Sequence, residues 1–304
     1  NGVTVDLVGP VAGTIIDGTE TDIDWDNSTT TLSADWDGFS DDISGIDHYE
    51  YAIGTGGGNT SNNYSLSFDG SDDYISVPNG GPLAGLDEGT IMMWVQWNGS
   101  QQYGSPGCGV VLGRQSDNMF TNQVIALSSV DPNVATINWH AYDLNVSVTG
   151  ATTVGDGTWR HVAITYTSGE HILYIDGVSD GTSTATGSMS TGTNVLLTIG
   201  AGIDEINSYS NSIIDEVAIW DEALTSSEIT ALYNSGISLD ALSNSGNYTS
   251  SGNVQGYWRF NENSGTTAYD LSGNGNHGTI NGGATYNSQG ADAVAPDTPT
   301  GLVA

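Results

Sequence analysis

The chain has 304 residues, three arginines, no lysine and 36 acidic side chains, for a formal net charge of −33. Phosphate is neutralised by clustered Lys and Arg, so this balance excludes a nucleic-acid surface and, for the same reason, attraction to anionic lipid. With 37% hydrophobic residues, 8 Trp and 14 Tyr, the chain can build a core, and its acidity is not a sign of disorder.

Residues 1–58 have their own rhythm. Val3, Val5 and Leu7 alternate, a Gly/Asp turn follows, and Thr31–Trp36 alternates again. Ile46–Ile53 then places Tyr49, Tyr51 and Ile53 on one face of a further strand. Gly56-Gly57-Gly58 is a flexible joint.

Beyond it, Tyr64–Val77 reads as two strands about an Asp/Gly turn. Strands recur at Thr90–Trp97, Val110–Gly113, Val124–Leu127 and Val134–Trp139. Trp159–Tyr166 and His171–Ile175 follow, the second ending on an Asp176-Gly177 hairpin turn, and Val195–Ile199 and Ile213–Trp220 continue the series. One helix interrupts them: Thr225-Ser226-Ser227-Glu228 is a capping box, Ile229, Leu232 and Tyr233 have helical spacing, and Asn234 and Gly236 end it. Many short strands with hairpin turns and one helix predict an all-β jelly-roll sandwich. The single cysteine, Cys108, allows no internal disulfide.

Several stretches carry a family resemblance. Leu66-Ser67-Phe68-Asp69-Gly70, Trp159–Tyr166, Leu173-Tyr174-Ile175-Asp176-Gly177 and Ile214-Asp215-Glu216-Val217-Ala218-Ile219-Trp220, in that order, resemble the laminin-G-like branch of the concanavalin-A-like lectin/glucanase superfamily. Tyr257–Thr279 resembles the stretch that commonly opens such domains. Here it closes the chain, which suggests a circular permutation; the rival reading pairs it with another copy or starts a second domain. Residues 1–58 resemble part of an immunoglobulin- or fibronectin-III-like module of bacterial surface proteins, and 289–304 a linker to a following module. The expected domains are therefore 1–58, 59–288 and 289–304.

The resemblance implies structural calcium. Asp270, Asn274 and Asn276 pack side-chain oxygens among bendable glycines, the mixture a hard cation with six to eight ligands requires. Similar family members place the metal between this loop and an acid such as Asp215 or Asp69. An ordinary Asn/Gly turn is the alternative.

Hydrolysis needs two carboxylates about 5–9.5 Å apart. Along Asp215–Glu222 the acids sharing a face lie six positions apart, roughly 20 Å on a strand, so no glycosidase activity is expected. Glycan contact is read at Trp139, Tyr142 and Tyr103, with Tyr209 among amides as a further candidate, against the alternative that Trp139 is core. Trp94, Trp159, Trp220 and Trp258 are expected in the core, and His161 as a structural histidine. Two functions remain open. The first is a non-enzymatic extracellular, cell-surface structural or adhesive module, a repeat of an adhesin or filament partnered by its own copies or neighbouring modules. The second is a carbohydrate-binding module of a secreted polysaccharide-active protein.

Overall fold

The computed structural model describes residues 14–17, 34–37, 64–83, 88–97, 109–116, 123–129, 135–141, 144–184, 195–202 and 209–291. The chain divides into two compact units, Asn1–Gly58 and Asn59–Ala304.

In the first unit β1 (Thr14–Asp17) pairs antiparallel with β2 (Ala34–Asp37), setting Ile15 opposite Trp36. β1 falls where the alternation suggested only a turn, because four residues with two adjacent isoleucines carry no period-two signal. The expected strands at 3–7 and 46–53 lie outside the described residues.

The second unit is a sandwich of two eight-stranded antiparallel sheets. Its strands are β3 (Ser65–Asp69), β4 (Tyr74–Val77), β5 (Gly89–Trp97), β6 (Gly109–Ser116), β7 (Gln123–Ser129), β8 (Ala135–Ala141), β9 (Val146–Thr149), β10 (Trp159–Tyr166), β11 (Glu170–Ile175) and β12 (Val178–Thr184). They continue with β13 (Val195–Ile199), β14 (Asn211–Trp220), β15 (Val254–Trp258), β16 (Thr267–Ala268), β17 (Gly278–Asn281) and β18 (Thr285–Asn287). One sheet runs β12-β11-β10-β5-β14-β3-β18, with β15 also on β14; the other runs β16-β17-β4-β13-β6-β7-β8-β9.

The C-terminal segment takes its place in this same sandwich. β18 lies on β3, β17 on β4 and β15 on β14, so the segment pairs within the same compact unit. β14 changes neighbour halfway along, from β3 to β15, and a bulge between Asp215 and Ala218 marks the change. There Glu216 adopts a φ of 51°, a bend that re-aims the strand. Along one side the two sheets are clasped by Asp180 on β12, whose carboxylate accepts from Ala151 N, Thr152 N and the Thr152 hydroxyl just after β9.

Two cores result. Between the sheets lie Phe68, Ile75, Met93, Trp97, Trp139, Tyr166, Ile214 and Trp258. On the outer face of the first sheet Met92, Ala163, Trp220, Tyr248 and Tyr257 pack with Ile229 and Leu232 of α1 (Ser226–Tyr233). The capping box is present: the Thr225 hydroxyl accepts from Glu228 N, Glu228 accepts from Thr225 N, and Asn234 ends the helix in the left-handed region. Trp94, Trp220 and Trp258 are buried as expected. Trp159 is only half-buried: it is the first residue of β10, paired with the half-buried Gln96 near the end of β5.

Candidate functional site

Three turns meet at one end of the sandwich. The β3–β4 turn is Asp69-Gly70-Ser71-Asp72-Asp73, which Gly70 makes possible with a φ of 80°. Its own carboxylates close it: Asp69 Oδ1 accepts from Ser71 N at 2.8 Å and Asp73 Oδ2 from Asp69 N at 2.9 Å. One ligand oxygen from each of Asp69, Asp72 and Asp73 lies within 4.8 Å of the others, with Asp69 and Asp72 exposed and Asp73 buried. Burial raises the Asp73 pKa, the neighbouring Asp69 and Asp72 charges add to the rise, and the bond from Asp69 N opposes it.

The other two turns close on this one. Asn211, at the head of β14, stands opposite Asp69, and a Cβ on Gly70 would meet the Asn211 side chain at 3.0 Å. Gly282, after β17, has a φ of 79° and leaves no room for a side chain: a Cβ there would lie 2.1 Å from the Asp72 carbonyl oxygen. Tyr74 and Tyr209 bring two aromatic rings to the same end, with centroids 6.3 Å apart and planes tilted by 45°. Tyr209 is held by a bridge to Ala201, and Asn281 lies opposite Tyr74. Acidic oxygens, two half-buried tyrosines and the amide-bearing Asn211 and Asn281 thus share one surface.

Among the sequence-named metal ligands, Asp69 belongs to this cluster. Asp270 plays another part. Its Oδ1 accepts from Tyr257 N and Ser272 N and its Oδ2 from Asn276 N, at 2.8–3.0 Å, and the residue is buried. Asn274 and Asn276 each donate their side-chain amide to the Gln255 carbonyl. This loop is a plug wired to β15, with three backbone N–H donors on the Asp270 carboxylate. Asp215 is buried and accepts from Glu216 N and Ala291 N. The Asp270, Asp215 and Asp69 positions are therefore not gathered as one ligand set; the gathered acids are Asp69, Asp72 and Asp73. Asp72 and Asp73 escaped the sequence reading because Asp-Gly-Ser-Asp-Asp reads equally as a polar turn; only the fold shows that its carboxylates converge.

Trp139 is fully buried, donates its Nε1–H to His171 Nδ1 at 2.8 Å and stacks on Tyr166 at 5.9 Å. Its ring belongs to the core and offers no face to a glycan. Tyr103, Tyr142 and Cys108 lie outside the described residues. Glu216 is held by the Tyr257 hydroxyl and, at 2.9 Å, by Arg259 Nε. Burial first, then the Glu216 charge, keeps the Tyr257 phenol protonated far above its ordinary range. His161 is buried, and neither ring nitrogen has a hydrogen-bond partner among the described residues. It is structural as expected, but not satisfied.

No helix among the described residues is long and apolar enough to cross a membrane. A family model described as the concanavalin A-like lectin/glucanases superfamily matches residues 69–230, over half of the chain. A human curated protein, adhesion G-protein coupled receptor D1, is 36% identical over 88 residues, 28% of this chain; the chain spans a tenth of that receptor's length. Among solved structures, a candidate carbohydrate-binding protein from Bacteroides ovatus is 15% identical with a TM-score of 0.53, over 75% of this chain and 60% of that one. The heptameric SAP-like pentraxin of Limulus polyphemus is 13% identical with a TM-score of 0.51, over 77% of this chain and 98% of that one. At these identities the likeness is one of fold.

Proposed function

The chain belongs to the concanavalin A-like lectin/glucanases superfamily, and from that premise we propose that it is a non-catalytic extracellular binding module with an adhesive role. The observation that carries the reading is the cluster of turns at one end of the sandwich, where Asp69, Asp72 and Asp73 converge beside Tyr74 and Tyr209. Those three acids would hold calcium, which supplies charge neutralisation and open coordination positions for ligand hydroxyls. The chain's own part is the rest. Tyr74 and Tyr209 offer ring faces for stacking, and Asn211 and Asn281 border them; Asn281 Nδ2 already donates to Ser76 Oγ and the Thr279 carbonyl, so its Oδ1 is the atom that would accept from a ligand hydroxyl.

Against catalysis stands the state of the acids on β14, since Glu216 is tied to Tyr257 and Arg259 and Asp215 to backbone N–H groups. An adhesive setting is supported by the receptor relative, whose name describes adhesion, and glycan contact by the carbohydrate-binding fold neighbour. In the fuller form of the proposal the module repeats along a surface adhesin or filament, contacting its own copies or neighbouring modules.

The test is binding to a glycan array and to cell-matrix preparations, in calcium and in EGTA. Chelation and Asp72→Asn are each expected to weaken binding about tenfold or more, which is about 1.4 kcal/mol, and to lower the melting temperature. Asp270→Ala is expected to destabilise the fold equally with and without calcium. A melting temperature and binding that ignore both EGTA and Asp72→Asn would sink the cation reading, and turnover of a polysaccharide would sink the non-catalytic one.

A further inference from the structure

A cavity of about 460 Å³ opens on the other side of the first sheet, between the β11–β12 hairpin turn, the C-terminal end of α1 and the 239–246 segment. It is far from the acidic turn: β3 and the β11–β12 pair lie towards opposite edges of that sheet, with β10, β5 and β14 between them. Its volume falls within the roughly 300–1,000 Å³ typical of small-ligand sites.

Three observations define what suits it. First, the groove is sparsely charged for a chain of net charge −33. Asp176 is the one carboxylate among its lining residues, and it shares Arg160 (2.8 Å) with the exposed Asp156 (2.7 Å). Second, Tyr233 supplies a braced aromatic wall. Its ring stacks on buried Trp94 at 6.0 Å and 24° and meets buried His161 at 5.9 Å, while a Cβ on Gly177 would already touch it at 3.0 Å. Third, the rim is made of hydroxyls and an amide, on exposed Ser235, Ser245 and Asn234, beside Val178, which is 69% exposed. Asn234 and Ser235 both sit in the left-handed region, with φ of 44° and 60°, so the chain turns sharply and presents them side by side.

We propose that this groove is a second binding site, for one neutral sugar unit of a polysaccharide. An apolar ring face, a hydroxyl-and-amide rim and a single lining carboxylate held by Arg160 match an uncharged pyranose or furanose, whose C–H face packs on tyrosine while its hydroxyls pair with the rim. Uronic or sulfated sugars are repelled by the protein's overall charge. The proposal rests on the binding-module reading and deepens it by adding a calcium-independent site.

The experiment is calorimetric titration of the whole chain in EGTA, so that the acidic turn contributes nothing. The probes are neutral oligosaccharides of gluco, xylo, manno, arabino and galacto type, with polygalacturonate as the anionic control. At least one neutral probe is expected to bind. Asn234→Gly keeps the left-handed backbone that glycine favours and removes the amide; it should weaken that binding about tenfold. Ser245→Tyr, at an exposed position, should fill the groove and abolish binding without moving the melting temperature. The proposal is overturned if no neutral probe binds, if only polygalacturonate binds, or if binding is indifferent to both substitutions. The last outcome would leave the binding-module reading intact, and a failure of the calcium reading would leave this titration unchanged.

Discussion

His161 carries an imidazole into the space between β10 and α1, where its neighbours are the rings of Trp94 and Tyr233. Burial pushes its pKa from the ordinary 6.5 down to about 3. The folded protein therefore holds it neutral, while the unfolded chain takes up a proton below pH 6.5. The His161 contribution to stability is complete above that pH and is lost as the pH falls from 6.5 towards 3. His161→Leu should flatten this acid limb, as read by chemical denaturation at a series of pH values; an unchanged slope would show that the ring is solvated. Subtracting the variant's curve removes the opposing effect of the many carboxylates, whose protonation relieves self-repulsion in both proteins. Trp139 gives a second residue-scale expectation. Trp139→Ala should cost about 3–5 kcal/mol through the cavity it leaves and the His171 bond it breaks. A full-strength fold with altered glycan binding would contradict its place in the core.

Helix α1 is the element whose sequence signal and structure agree most closely. Thr225 and Glu228 satisfy each other's backbone N–H groups, and Glu228 Oε1 also accepts from the Ser250 hydroxyl at 2.7 Å. Thr225→Ala is expected to lose about 1 kcal/mol, measured by urea denaturation, and Glu228→Ala more, because it also frees the 249–250 segment. Equal losses would mean that the tie to Ser250 carries no energy. The strands were less evenly legible. β5 alternates Ile91, Met93, Val95 and Trp97 into the main core, and was read from that alternation. β9 is only four residues long and went unread, although Val146 and Val148 point into the core. The bulge at Glu216 was invisible too, since it exists because β14 changes partner there, and that is a tertiary event.

At the scale of the molecule, the C-terminal strands complete both sheets. Ending the chain at residue 253 removes β15 to β18, the neighbours of β14, β3 and β4. It should abolish the cooperative thermal transition, whereas residues 59–304 alone should keep it. If the module contacts its own copies, as the filament form of the proposal holds, and does so through residues 1–58, the whole chain should self-associate in sedimentation experiments and residues 59–304 should not. Period-two alternation, the Thr225 capping box and the charge of −33 were enough to determine an all-β sandwich with one helix and to exclude nucleic acid as a partner. These are local or summed properties, and the chain carries them before it folds. The convergence of Asp72 and Asp73 with Tyr209, the engagement of Asp270 by three backbone donors and the burial of Trp139 were decided only by the tertiary structure. Each depends on at least one contact between separate segments, such as Tyr74 with Tyr209, Asp270 with Tyr257 and Trp139 with His171, and a carboxylate or an indole reads the same in the chain whether its neighbours in space are water, a cation or backbone N–H groups.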